Sequence, residues 1–299
     1  MNSRPLVIAL GFFDGVHLGH MAILRRASEL ARDYNVQSAA LTFDVHPESM
    51  IYGQHVPFIC TPDQRTCLMR ELCGIDQVIV AHFDNKFMSQ EWNDFARESL
   101  FGRFSAIHLV SGEDYRFGYR GAGSADLLAE LCRGAGVGFD KITVLESGGI
   151  RVSSTYIRNL IANGDMTGAS ALLGHRYELS GIVTPGRRVG RTIGVPTPNF
   201  CLDAQLQPPL FGVYATYTRI GTDRYMSVTN VGVKPTLGVN IPLVETHLLD
   251  FSGDLYGREI IVEFCDLLRP ERRFDDIDCL TKQIIRDIQD AKRILQYKL

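Results

Sequence analysis

Two histidines three residues apart follow a short apolar run near the start of the sequence, in Gly11-Phe-Phe-Asp-Gly-Val-His17-Leu-Gly-His20. At this spacing both side chains project from one side of a helical turn and can donate hydrogen bonds to phosphate. The glycines let the backbone approach a ligand, and a helix N-terminus attracts anions. The alternative is a pair of solvated or capping histidines. The position after a strand favours a phosphate-binding turn, with candidates Gly11, Phe13, Asp14, Gly15, His17, Gly19 and His20.

A hydroxyl-rich segment, Arg151-Val-Ser-Ser154-Thr155-Tyr-Ile-Arg158, closes the first half of the chain. A helix that opens with Ser-Ser-Thr is well capped, and simple capping would explain these residues if they stood alone. An arginine one turn further on can bind phosphate oxygens in a bidentate manner. Together with the histidine segment, Ser154, Thr155 and Arg158 predict a second set of phosphate contacts.

A glycine- and arginine-rich segment opens the second half, from Gly186 through Gly190, Arg191 and Gly194 to Thr197-Pro-Asn199. Such a loop can present cationic groups to phosphate, whereas its alternative is a polar hairpin with surface arginines. Thr197 and Asn199 offer neutral oxygens to a hard cation such as Mg²⁺.

The elements that must position these residues change in type along the chain. Before residue 150, apolar runs alternate with segments of helical spacing, which predicts a parallel sheet covered by helices. The predicted strands are Leu6–Leu10, Ser38–Phe43, Gln77–Ala81, Ala106–Val110 and Lys141–Leu145. The predicted helices are His17–Tyr34, Asp63–Cys73, Trp92–Leu100 and Ala125–Arg133.

After Tyr177, short β-type runs separated by Gly/Pro-rich turns predict a small antiparallel barrel. The predicted strands are Leu179–Thr184, Gly212–Arg219, Tyr225–Val231, Glu245–Phe251 and Glu259–Phe264. An amphipathic helix follows an Asp275-Asp276 start, with apolar positions from Ile277 to Leu295. The fold class is therefore α/β plus β: a Rossmann-like domain over residues 1–177 and a β-barrel with a terminal helix over 178–299.

Composition narrows the function classes. The 299 residues carry a formal net charge of −3, so no strong basic field draws in nucleic acid. No apolar stretch reaches the roughly 18 residues of a membrane span, which predicts no membrane partner. The seven scattered cysteines include no Cys-x-x-Cys pair and favour reduced, buried thiols and a cytoplasmic location.

These motifs resemble a known family. The His-x-Gly-His segment and the Ser-Ser-Thr helix resemble the nucleotidyltransferase superfamily. Thr42-Phe-Asp-Val-His46-Pro and Ser111-Gly-Glu-Asp114-Tyr-Arg-Phe117-Gly resemble the FMN adenylyltransferase module of bacterial FAD synthetases. The segment ending in Pro-Thr-x-Asn, together with Asn230 and Glu245, resembles riboflavin kinase. Over essentially its whole length the chain resembles bacterial bifunctional riboflavin kinase/FMN adenylyltransferases.

The resemblance implies two reactions. The second domain phosphorylates riboflavin with ATP, with Mg²⁺ held by Thr197 and Asn199 and Glu245 as base. Its ATP-binding residues are Gly186, Gly190, Arg191, Gly194 and Asn230. The first domain joins FMN to a second ATP, giving FAD and pyrophosphate. His17, His20 and Arg158 are its catalytic residues, and His46, Asp114 and Phe117 bind its flavin. The implied partners are small molecules, for a monomer or weak homo-oligomer.

The chain departs from the family pattern at Phe12, where Asn is usual, at Asp44-Val45 in the second segment, and at Arg187, where Asp is usual. Phe12 replaces an amide by an apolar ring at the nucleotide turn. Two alternatives follow: a riboflavin kinase whose first domain is catalytically silent, and a flavin-sensing regulatory protein.

Overall fold

A computed structural model describes residues 4–185, 197–233 and 241–296 of the chain. The chain divides into two compact units, Met1–Ser154 and Thr155–Leu299. Each unit contains its own main sheet, and the two sheets differ in type as the sequence predicts.

The first unit is built on a five-stranded parallel sheet of order β3-β2-β1-β4-β7. Its strands are β1 Leu6–Leu10, β2 Gln37–Phe43, β3 Gln77–Ala81, β4 Ala106–Gly112 and β7 Gly138–Ile142. Short strands form two hairpins: β5 Arg116–Phe117 with β6 Gly123–Ser124, and β8 Glu146–Ser147 with β9 Ile150–Arg151. The strand order reverses beside the central strand β1, and ligands bind parallel sheets at such switch points.

Helices cover this sheet and confirm the predicted alternation. They are α1 Leu18–Asp33, α2 Pro47–Tyr52, α3 Pro62–Cys73, α4 Asn85–Met88, α5 Trp92–Asp94 and α6 Ala125–Ala135. The predicted helix Trp92–Leu100 continues as a π-helix over Phe95–Arg103. Leu24, Ala27 and Ala31 of α1 are buried against the sheet, as their spacing predicts.

The last parallel strand was predicted over Lys141–Leu145, but it spans Gly138–Ile142. Glycine has a low propensity for β-strands, so the sequence pattern did not predict a strand that begins at Gly138. The structure explains the glycine: a Cβ at Gly138 would lie 2.2 Å from Nδ1 of His108 on the neighbouring strand. The His108 ring in turn bonds to Tyr34 and Asp140, so it is held in place.

The second unit begins within α7 Ser154–Ala162, continues through α8 Met166–Leu173, and then forms a nearly closed antiparallel barrel of order β10-β15-β12-β13-β14-β11. Its strands are β10 Tyr177–Ile182, β11 Asn199–Cys201, β12 Gly212–Ile220, β13 Asp223–Val233, β14 Pro242–Leu248 and β15 Glu259–Pro270. The N–H of Thr184, just beyond β10, donates to the carbonyl of Asn199 at 2.9 Å and joins the two ends of the sheet.

The barrel differs from the sequence predictions in the bounds of several strands and in one additional strand, β11. The strand expected to end at Phe251 ends at Leu248, because Asp250 turns the chain with a left-handed φ of 59°. The three-residue strand β11 was not predicted, since so short a run carries no periodic signal.

Helix α9, Ile277–Gln296, packs on the barrel through Ala291 and Leu295. The Asp276 carboxylate accepts the N–H of Cys279 at 2.6 Å, which confirms the predicted acidic start of the helix. Across the described residues we found no helix whose length and hydropathy would suit a membrane span. All seven cysteines are free thiols, but the prediction that they are buried is wrong for three of them, Cys67, Cys201 and Cys279, which are exposed.

Five fully buried hydroxyls form a closed ring of hydrogen bonds inside the barrel. The ring runs from Thr216 to Ser227, Thr218, Thr246, Thr229 and back to Thr216, with Oγ–Oγ distances of 2.7–3.2 Å. A hydroxyl has one proton to donate, so a ring of this kind can give every member both a donor and an acceptor. The ring ties together β12, β13 and β14.

Replacing Thr229 by valine should weaken the barrel. The substitution keeps the shape but leaves the hydroxyls of Thr216 and Thr246 short of a buried partner, at a cost of about 1–3 kcal/mol. Hydrogen exchange of the amides of β12–β14 should therefore accelerate by about 10-fold or more. Thr281→Val is the matched control, because that hydroxyl donates to a carbonyl of its own helix. Equal exchange rates in the two variants would contradict the prediction.

Candidate active sites

The turn between β1 and α1 has an unusual backbone. Phe13, Gly15 and Val16 have left-handed φ angles of 59°, 75° and 42°, and only the glycine adopts such an angle without strain. Phe13 and Val16 are fully buried, so packing holds them in this conformation. Strain that packing over-determines is typical of ligand-binding turns. A Cβ at Gly15 would lie 2.9 Å from the Ile59 side chain, a second reason for glycine here.

The buried side chain of Asp14 stabilises this turn through hydrogen bonds. Its buried carboxylate accepts the backbone N–H groups of Ile59, at 2.9 and 3.1 Å, and of Cys60 at 3.4 Å. The N–H of Gly15 reaches the Cys60 sulfur at 3.3 Å. Because a carboxylate repels phosphate, this geometry favours Asp14 as a support of the turn. The sequence analysis did not single out Ile59 and Cys60, which are 45 residues away along the chain.

His17 and His20 lie together, as their spacing predicts. Their rings stack with centroids 3.5 Å apart, and the N–H of His20 donates to Nδ1 of His17 at 3.2 Å. The proton of a neutral His17 ring therefore resides on Nε2. Gly19 leaves room for that ring, because a Cβ there would be 3.2 Å from its Cε1.

Burial lowers the pKa of His20 well below its usual range, and the neighbouring His17 and Arg65 lower it further. His20 is therefore neutral at pH 7 in the protein alone. Its Nδ1 is buried and has no hydrogen-bond partner among the described residues. A buried polar atom of this kind is satisfied when a ligand supplies the missing partner.

Helix α7 carries the predicted hydroxyl-rich segment. The Ser154 hydroxyl donates to the carbonyl of Asp14 at 3.0 Å, so this residue is held at the turn. One turn along α7, the buried Arg158 donates to the Thr155 hydroxyl at 3.2 Å. Ser154 is thus brought to the turn that carries the two histidines.

A cavity of about 820 Å³ lies in the first unit, at the ends of β2 and β3. Its wall is strongly aromatic, with Tyr52, Phe43, Phe83, Phe87, Phe95, Tyr115, Phe117 and Tyr119 among the lining residues. Phe117 stacks on Tyr115 with ring centroids 5.3 Å apart. A flat aromatic ligand fits a cavity of this size and lining.

The other two predicted flavin residues do not line this cavity. His46 is buried before α2 and meets the Phe12 ring edge-on, at 4.7 Å between centroids. Asp114 is exposed and forms an ion pair with Arg151. Of the aromatic lining, the sequence analysis found only Phe117, because the other rings come from separate segments that only the fold brings together.

Three predicted kinase residues of the barrel, Asn199, Glu245 and Asn230, lie directly opposite one another on neighbouring strands, an arrangement we call a rung of the sheet. In register, Glu245 of β14 pairs with Asn199 of β11 on one side and with Asn230 of β13 on the other. Directly opposite residues of antiparallel strands lie on the same face, so the carboxylate and both amides are neighbours. Thr197 lies two residues before Asn199, whereas Gly186, Arg187, Gly190, Arg191 and Gly194 lie outside the described residues.

Comparisons with known proteins cover both units. The FAD synthetase family model matches residues 1–156, and the riboflavin kinase model matches residues 173–295. The chain is 35 % identical to a bifunctional riboflavin kinase/FMN adenylyltransferase of Haemophilus influenzae over 95 % of its length and 92 % of the relative's. It is 36 % identical to the protein of the same name from Escherichia coli K12, over 96 % and 91 %.

A solved structure is similar over nearly the whole chain. It is that of a protein from Streptococcus pneumoniae named macrolide-efflux protein, with a TM-score of 0.87, 28 % identity, and coverage of 98 % of this chain and 95 % of that one. Its name refers to an activity that neither matching family model describes.

Proposed function

The chain belongs to the family of bifunctional riboflavin kinase/FMN adenylyltransferases, and from this premise we propose that it converts riboflavin into FMN and FMN into FAD. The observation that supports this most is that each matched region carries a site suited to phosphate chemistry. These are the His17/His20 turn in the first unit and the Asn199–Glu245–Asn230 rung in the second. Both reactions depend on positioning and on neutralising phosphate charge.

In the transferase, an FMN phosphate oxygen attacks the α-phosphorus of ATP, and the bond to the bridging oxygen of pyrophosphate breaks. The Nε2–H of His17 donates to an ATP phosphate oxygen, and neutral His20 supplies a second contact from the same turn. We assign the turn at Gly11, Phe13, Gly15 and Gly19, which Asp14 holds in shape, to the rest of the phosphate cradle. The N–H groups of Gly11 and Gly15 themselves donate to the Leu41 carbonyl and the Cys60 sulfur. We assign Ser154, Thr155 and Arg158 to the remaining phosphates, with Arg158 as the charged donor.

In the kinase, we assign Glu245 as the base that takes the proton of the riboflavin 5′-hydroxyl while that oxygen attacks the γ-phosphorus of ATP. The bond from the γ-phosphorus to the bridging oxygen breaks, so FMN forms and ADP leaves. Gly186, Gly190, Arg191 and Gly194 are assigned to ATP, and Asn230 binds it beside Glu245 on the rung. This assignment places the base and the nucleotide-binding amide on one face of the barrel.

Thr197 and Asn199 fit a site for Mg²⁺, since a hydroxyl and an amide carbonyl are the neutral oxygens this ion accepts beside phosphate. The described residues contain no cluster of three His, Cys, Asp or Glu that would hold a metal unaided. Mg²⁺ bound there would offset charge on the transferring phosphate. The pairing of β11 with β14 places Asn199 beside Glu245, and Thr197 lies two residues before Asn199.

We assign the aromatic cavity to the isoalloxazine ring of FMN, and His46 and Asp114, which do not line this cavity, to other parts of the same flavin. Replacing Phe117 by alanine removes a stacking face and should raise the KM for FMN about 10-fold or more, from a loss of about 1–3 kcal/mol. Steady-state FAD formation measures this effect, and Phe104→Ala on the far end of the π-helix is the control. An unchanged KM for FMN would place the flavin elsewhere.

We place the enzyme in the cytoplasm, where its free thiols stay reduced and ATP is abundant, as a monomer or weak homo-oligomer that does not bind nucleic acid. We assign residues 1–177 to the transferase and 178–299 to the kinase. The first barrel strand begins at Tyr177, whereas the two compact units divide between Ser154 and Thr155.

The direct test is incubation of the purified chain with ATP and Mg²⁺, in parallel with riboflavin and with FMN, followed by chromatography of the flavins. FMN and FAD from riboflavin, and FAD from FMN, would support both activities. FMN formation without FAD would instead indicate a silent first domain, and flavin binding without turnover would indicate a sensor.

A further inference from the structure

Arg65 is a buried arginine that no catalytic assignment uses. It lies on the first turn of α3, on the same helix face as Met69 and Cys73, and only 1 % of it is exposed. A buried arginine normally pairs with a carboxylate. Among the described residues, however, Arg65 has no carboxylate within ion-pair distance, and its Nε lacks a hydrogen-bond partner.

The guanidinium of Arg65 instead joins the ends of two strands. It donates to the carbonyl oxygens of Phe12 at 2.7 Å and Phe43 at 2.9 Å, and to the Thr42 hydroxyl at 3.3 Å. The Thr42 hydroxyl also donates to the Phe12 carbonyl at 2.7 Å. The Phe12 carbonyl begins the turn that carries the two histidines, whereas Phe43 is at the end of β2 and lines the aromatic cavity.

The side chain of Phe12 completes this connection. Its ring centroid lies 4.5 Å from Cζ of Arg65, a cation–π distance, and 4.7 Å from the ring centroid of His46. Phe12 is the residue that departs from the family's usual asparagine. An aromatic ring attracts a guanidinium placed over its face, whereas an asparagine offers no such ring. Phe12 therefore stabilises the position of Arg65.

We infer that Arg65, together with Phe12, is a positioning residue of the transferase that fixes the nucleotide turn and the flavin cavity relative to each other. This inference rests on the proposed function of the first unit. A guanidinium that donates hydrogen bonds to the ends of both strands keeps the two bound substrates in a fixed relative position. A misplacement of the reacting groups by about 1 Å can lower the rate about 100-fold. Arg65 itself is too deeply buried to contact the substrates.

The test compares Arg65→Met with Arg65→Lys. Arg65→Met removes both the positive charge and the hydrogen bonds to the two strand ends. We therefore expect kcat/KM for FAD formation to fall about 100-fold, and the KM for ATP and the KM for FMN both to rise. Arg65→Lys keeps the charge and can bond one carbonyl, so we expect it to recover about 10-fold of that loss. Riboflavin phosphorylation by the same polypeptide reports whether the second unit is intact and should be unchanged, and the unfolding temperature reports on the first unit.

A control separates positioning from stability. Met69, one turn along the same buried helix face, makes no polar contact with the strand ends, so Met69→Ala should lower the unfolding temperature with little change in either KM. Phe12→Asn, which introduces the family's usual residue, should lower FAD formation about 3- to 10-fold, because Arg65 loses the ring.

Three results would overturn the inference: equal losses in Arg65→Met and Met69→Ala at matched stability, a rise in only one KM, or full activity of Arg65→Lys. If Arg65→Met does not fold, Arg65→Lys and Phe12→Asn still test the same connection. Absence of FAD formation by the wild type would defeat the proposed function as well, whereas normal wild-type activity with unaffected variants defeats the inference alone.

Discussion

His20→Ala should lower the rate of FAD formation by about 100- to 1,000-fold, which is the effect of removing one preorganised donor from a charged transition state. His20 belongs to the turn itself, and its neutral ring has a buried Nδ1 that the described residues leave unpaired. The alanine variant removes both that contact and the ring that stacks on His17 at 3.5 Å. Chromatographic quantification of FAD made from FMN and ATP measures the loss.

Two further variants make this result specific. His82→Ala removes an exposed histidine of the same unit that bonds to Asp44, and it should leave FAD formation unchanged. His17→Asn keeps an oxygen that can cap α1 through the N–H of His20 but loses the Nε2–H donor, so it should also be impaired. If His20→Ala retained more than half of the native rate, the histidine pair would be a helix cap and not a phosphate contact.

The histidine turn could be predicted from the sequence because all its parts are local. A strand, a glycine turn and a helix follow one another within about 30 residues, and the parallel sheet determines where the turn must lie. The proposed riboflavin kinase residues were also named from the sequence, but their arrangement was not. Asn199, Asn230 and Glu245 become neighbours through strand register, which depends on turns and pairings that one sequence does not specify.

The features that the sequence analysis missed are those with a tertiary cause. Arg65 fits a helical pattern as an ordinary polar position, although its spacing from Met69 and Cys73 places it on the buried face. The sequence signal that could have identified Arg65 is an arginine at four-residue spacing from apolar residues of the same helix, which predicts a buried arginine. The aromatic cavity gave no such signal, because Phe43, Phe83 and Phe117 come from three segments whose proximity the fold alone creates. The start of β7 was missed for a similar reason. Gly138 must be a glycine because the His108 ring on β4 occupies the space that a side chain would fill, and this contact cannot be read from the sequence.

Glu245→Gln should lower kcat for riboflavin phosphorylation by about 100-fold or more, with little change in KM, because the amide cannot accept the substrate proton. The substitution preserves size, and the cross-strand pairing of residue 245 with Asn199 and Asn230 is made by the backbone. The change therefore affects proton transfer and not the architecture of the rung. The sum of FMN and FAD formed at saturating riboflavin and ATP measures kcat.

The control for this variant is Glu259→Gln, an exposed glutamate at the start of β15, which should keep the native rate. If Glu245→Gln also phosphorylated riboflavin at the native rate, Glu245 would not be the base. The two active sites also provide a test of each other. Glu245→Gln should still make FAD from added FMN, and His20→Ala should accumulate FMN from riboflavin. A mixture of the two variants should convert riboflavin to FAD, because the FMN released by one chain is the substrate of the other.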